Sequence, residues 1–79
     1  MQMWCSMADP FLPEGSQFLG AVVVNAEGPA SAMLQLSLHG LNLGGEIMFV
    51  EIPKGKRVPE QWTYRIMNKE EALTCPSER

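Results

Sequence analysis

The segment Phe18 to Asn25, FLGAVVVN, constrains this chain more than any other. It is a nearly continuous β-branched and apolar run. As a strand it carries apolar side chains on both faces and suits a central position, covered above and below. The chain has 79 residues, enough for one domain with a thin core. Its 46% hydrophobic and 19% charged content belongs to a folded globule rather than a disordered chain. A single domain over 1–79 is expected, with fraying confined to residues 1–2 and 75–79.

A second strand is expected over Glu46 to Ile52, where Met48, Val50 and Ile52 share one face and Ile47 and Phe49 the other. Between the two strands, Pro29 suits the first position of a helix, where its missing N–H has no partner to lose. Ala30, Met33, Leu34 and Leu38 recur at three- and four-residue spacing, with Ser31, Gln35 and Ser37 largely on the other side. The spacing predicts a helix to about His39. Gly40 then stands just beyond the C-cap, and Leu41 folds back on Leu36 in a Schellman ending. A connection of about 20 residues holding a helix is long enough to cross between parallel strands, and the pattern reads as a βαβ unit.

Met3 to Ala8 reads as a further short strand, with Trp4 and Ser6 on one face and Met3, Cys5 and Met7 on the other. Asp9-Pro10 and Pro13-Glu14-Gly15-Ser16 supply turn chemistry after it, and Pro53 to Pro59 forms a polar loop. Glu60 to Met67 fits both periods: Trp62 and Ile66 at helical spacing, or Trp62, Tyr64 and Ile66 in strand alternation. Pro59-Glu60-Gln61 resembles a first helical turn and favours the helix. Asn68 to Glu71 has the pattern of a capping box, with a last helical turn to Leu73. The expected class is α+β: a small ββαβ-type sheet with one packed helix and a short C-terminal helical segment.

The net charge of −3 disfavours a general nucleic-acid binder, which needs clustered Lys and Arg to displace counterions. The charge is also uneven. Residues 1–53 hold five acids and no base, whereas residues 54–79 hold six bases and four acids. The first eight residues, MQMWCSMA, lack the basic start and apolar stretch of a secretory signal. The longest strictly apolar runs are four residues, against the roughly 20 needed to span a bilayer. A soluble, cytoplasmic protein without membrane contact is expected. Met1, Met3 and Met7 leave the true start open, and a later start puts Trp4 outside the protein.

Chemistry-bearing groups are few. Cys5 and Cys75 lie near opposite ends of the chain, outside any CxxC, and read as free thiols in a reducing compartment. A disulfide joining the termini is the alternative for an exported chain. His39 is the only histidine. At a helix C-terminus it suits capping of free carbonyls. A cysteine enzyme pairing Cys5 or Cys75 with His39 has no flanking signature. Zinc takes three or four Cys or His ligands, and the three here are scattered, so no metal or other cofactor is expected. Glu46 and Glu51 are an odd number of residues apart and face opposite sides of their strand. Gly44-Gly45 reads as a turn rather than an anion nest, because it leads into a strand.

Lys54, Lys56 and Arg57 form the one basic cluster, and Trp62, Tyr64 and Arg65 follow it with the composition of a binding hot spot. These six are the candidate binding residues. The plainer reading makes Trp62 the core anchor of the C-terminal segment.

The segments Leu38-His39-Gly40-Leu41-Asn42, Gly44-Gly45-Glu46-Ile47, Pro59 and Asn68-Lys69-Glu70-Glu71, in that order, resemble those of small bacterial proteins of unassigned function. Some of these are carried on mobile elements such as phages or gene cassettes. The shared motifs are turn and cap chemistry, and the resemblance implies no active site. The leading expectation is a non-enzymatic interaction module that forms a homodimer or docks on another protein. Its rival is a small-molecule or anion binder using residues 54–57 with Trp62 and Tyr64.

Overall fold

The structure is a computed structural model and describes residues 1–76. Strand β1 (Gln2–Ala8) alternates as expected: Met3, Cys5 and Met7 are buried, and the residues between them are half-buried. Gln2, expected within a frayed end, opens the strand opposite Asn25. Strand β2 (Phe18–Asn25) pairs antiparallel with β1, with Met3 opposite Val24 and Cys5 opposite Val22. The register slips between Met7 and Ala8, where Leu19 bulges out. Between the strands, Asp9 accepts the Phe11 N–H at 2.9 Å, and the Gln17 amide donates to the Pro10 and Leu12 carbonyls.

Helix α1 (Pro29–Leu38) follows, and its ending is the expected Schellman motif. The Leu41 N–H donates to the Leu36 carbonyl at 2.8 Å and the Gly40 N–H to Ser37 at 3.2 Å, with Gly40 at φ +66°. The helix buries a different face from the expected one, however. Ala32 and Leu36 are buried, while Ala30, Met33, Leu34 and Leu38 are exposed. The reason lies in the neighbours: Gln35 accepts a hydrogen bond from Tyr64, and the Schellman turn brings Leu41 in beside Leu36. The small Ala32 side chain lets the helix lie close to the sheet, and Leu36 with Leu41 fills the core beneath it.

Strand β3 (Glu46–Glu51) pairs antiparallel with β1, Cys5 opposite Phe49 and Trp4 opposite Val50. Gly44 and Gly45 turn into it at φ +85° and +70°, and a side chain on Gly45 would collide with the Ala8 carbonyl. The sheet order is β2-β1-β3. β2 and β3 therefore run parallel, as the crossover requires, but β1 lies between them. The central strand is β1, not β2. β2 has the composition of a central strand because both its faces are buried and its outer edge is sealed as well.

The seal is the segment expected to be a helix over Glu60 to Met67. Only Glu60–Trp62 forms a helical turn, of 3₁₀ type. The chain then extends along β2: the Tyr64 N–H donates to Val23, the Met67 N–H to Ala21, and the Ala21 N–H to Met67. The burial of Met67 and the unpaired edge of β2 outweigh the local helical signal. Helix α2 (Lys69–Thr74) closes the described chain with the expected capping box. Asn68 accepts the Glu71 N–H at 2.8 Å, and Glu71 accepts the Asn68 N–H at 3.2 Å. The expectation of fraying at residues 77–79 lies outside the described residues.

Two cores flank the sheet. Under α1 lie Met3, Cys5, Met7, Val22, Val24, Ala32 and Leu36. On the other face Ala21, Val23, Val58 and Met67 pack with Trp4, Trp62, Ala72 and Cys75. No polar side chain is buried among the described residues.

Candidate functional site

The two edges of the sheet differ. On the outer edge of β2 the Ala21 N–H and carbonyl and the Val23 carbonyl bond to residues 64–67, whereas β3 pairs only with β1. The Ile52 N–H donates to the Gln2 carbonyl at 3.0 Å, which fixes the alternation along β3. Met48 and Val50 turn their backbone groups toward β1, and Ile47, Phe49 and Glu51 turn theirs outward. Among the described residues these outward groups have no protein partner.

The side chains of β3 add to this edge. Ile47 and Phe49 are half-buried against the α1 core, but Met48 and Val50 stand on the opposite face at 66% and 50% exposure. The C-terminal segment covers the β2 half of that face and stops short of β3. A groove of about 250 Å³ remains between them, walled by Val50, Ile52, Val58, Ala72 and Cys75, with Trp4 also lining it and Lys56 alongside. The edge has a row of backbone donors and acceptors next to an apolar strip, the chemistry that receives an extended chain.

The six candidate binding residues do not converge on one pocket. Lys54 and Arg57 line a second cleft of about 340 Å³, with Met1, Gln2, Asn25, Glu51, Ile52 and Pro53. Neither Trp62 nor Tyr64 lines it. Trp62 packs half-buried against the second core, in the anchoring role, and the Arg65 guanidinium stacks over its ring at 4.7 Å. Arg65 also pairs with Glu71, so it braces the capping box of α2. Tyr64 is a strut. Its hydroxyl donates to Gln35 Oε1 and accepts the Asn25 N–H, each at 3.1 Å, and its ring lies 4.5 Å from that of His39. It is the one non-glycine at positive φ among the described residues, at +54°. That conformation costs about 1 kcal/mol and is held by the contacts around it.

Sequence reasoning missed Gln2. Its side-chain amide donates to the Val58 carbonyl and accepts the Val58 N–H, both at 2.8 Å, so it imitates a strand neighbour and pins the end of the basic loop. No pattern marks such a glutamine, because its partner lies 56 residues away.

Both cysteines are free. Cys5 belongs to the α1 core and Cys75 packs against the opposite one. Burial pushes the Cys5 thiol up to about 11. Burial also raises Cys75, with Arg65 opposing. A raised thiol stays protonated at neutral pH, the reverse of what a nucleophile needs. No three His, Cys, Asp or Glu side chains gather to hold a metal among the described residues. No described helix is long and apolar enough to cross a membrane. Comparisons with family models, curated proteins and solved structures find no match to this chain.

Proposed function

We propose that this protein is a non-enzymatic interaction module that receives an extended strand on the open edge of β3. One observation carries the reading: the outer edge of β2 is closed by three backbone hydrogen bonds, and that of β3 is left open beside exposed Met48 and Val50. Small proteins usually blunt a free edge with a charge, a proline or a covering loop. β3 has glutamates only at its two ends, and its middle reads IMFV. In strand addition the backbone supplies affinity, and alternate side chains supply selectivity. Here the groove between Val50 and Ala72 is the selective element. The free thiols of Cys5 and Cys75 suit a reducing compartment such as the cytoplasm.

The test is fluorescence anisotropy with labelled extended peptides of alternating apolar sequence, together with amide exchange across a range of protein concentrations. Binding is expected for the native chain and not for Glu51→Pro, which removes one outward N–H and leaves the ladder to β1 intact. No binding of any peptide, with Ile47, Phe49 and Glu51 amides unprotected at every concentration, overturns the reading.

A second reading, contact with a small anion, rests on Lys54 and Arg57 sharing the 340 Å³ cleft. Neither is in an ion pair among the described residues, although Glu51 in the same wall opposes an anion. A rise in melting temperature with phosphate or citrate, abolished in Lys54→Ala/Arg57→Ala, is the expected result. Equal shifts in both proteins dismiss it.

A further inference from the structure

We infer that the strand docked on β3 is the β3 of a second copy, so that two chains share a six-stranded sheet in the order β2-β1-β3-β3-β1-β2. This deepens the strand-docking reading and rests on it.

The backbone pattern is compatible with a two-fold axis. Ile47, Phe49 and Glu51 face outward, so an axis at Phe49 makes a hydrogen-bonded pair of Phe49 with its own copy. Ile47 then meets the partner's Glu51. In the same register Met48 falls opposite the partner's Val50, at a non-hydrogen-bonded position where side chains approach most closely. The two most exposed apolar side chains of the strand become one ladder across the axis.

Charge selects the direction. β3 begins at Glu46 and runs into Lys54, Lys56 and Arg57, with no base anywhere before Lys54. Antiparallel pairing sets each acidic start beside the other's basic end, and it opposes no glutamate to a glutamate. Parallel pairing stacks like on like. The division of the sequence into an acidic and a basic part acquires a use. A second uncovered apolar surface, Leu34 and Leu38 at 56% and 69% exposure on α1, has no such complement. That helix has no acidic residue in its first turn and no basic one in its last.

The experiment is light scattering on the full chain over a wide concentration range, with three variants. The native chain is expected at twice the 8.8 kDa of one copy. Glu51→Pro loses two hydrogen bonds per dimer and weakens association about a hundredfold. Val50→Lys gives the same result through the side-chain ladder and stands in should the proline variant fail to fold. Glu46→Lys weakens association roughly tenfold, and Glu46→Lys/Lys54→Glu restores it. A dimer that survives both Glu51→Pro and Val50→Lys overturns the inference by placing the interface elsewhere. A monomer that still binds peptides through the β3 edge overturns it and leaves strand docking standing. A monomer that binds no peptide overturns both.

Discussion

The sheet has one guarded edge and one open edge, built from strands of similar composition. β2 and β3 are both apolar runs parallel to each other on either side of β1, yet only β2 is covered. Its cover is a segment with two prolines upstream, a left-handed tyrosine and no regular strand. Closing an edge therefore takes little secondary structure: a few backbone hydrogen bonds, a buried Met67 as anchor and a tyrosine hydroxyl bridging to α1.

The sharpest way to break the contrast is to remove the anchor. Met67→Ala leaves a cavity under the seal and is expected to cost about 2–5 kcal/mol in urea unfolding. The amides of Ala21 and Tyr64 should then exchange as fast as those of Ile47 and Phe49 in the monomer. The middle strand supplies the next effect. The Cys5 thiol is held near 11 in the fold, above its usual 9.0, so folding keeps a proton that the unfolded chain gives up. Its contribution is intact below about pH 9 and is lost as pH rises toward 11. The loss is about 2–3 kcal/mol, read as the difference between native and Cys5→Ala chains in pH-dependent melting. Tyr64→Phe keeps the ring and deletes both hydroxyl bonds, so a loss of about 1–2 kcal/mol is expected, with the seal loosened from its upper end first. On the open side, Met48→Thr changes the stability of the monomer by less than about 0.5 kcal/mol, because its side chain is solvated there. An equally large loss at Met48 in the monomer would erase the distinction between the edges.

Residues whose structure is set by their near neighbours were legible in the sequence. The β2 run, the Schellman ending at Gly40 and the Asn68 capping box each depend on residues within a few positions, and all appear where expected. What escaped was decided by distant partners. Tyr64 to Met67 extend along the edge of β2, and α1 turns Ala32 and Leu36 inward because the core they meet is built by β1 and β2, far away in the chain. β1 is central although its composition is less apolar than that of β2, because order in a sheet depends on which strands find each other. The candidate site was half legible. Ile47 to Val50 stood out as apolar alternation, but nothing local says that one face of β3 goes uncovered. The basic loop was visible, and its separation from Trp62 and Tyr64 was not.

The central position of the first strand also has a consequence for synthesis. β1 and β2 are neighbours both in the chain and in the sheet, and β3 joins β1 from the other side after the crossover. The seal comes only from residues 64–67. A chain interrupted before that point presents two open edges instead of one, and the more apolar of them is β2. The risk of wrong pairing is thus concentrated in the unfinished protein, at the edge that the finished one hides.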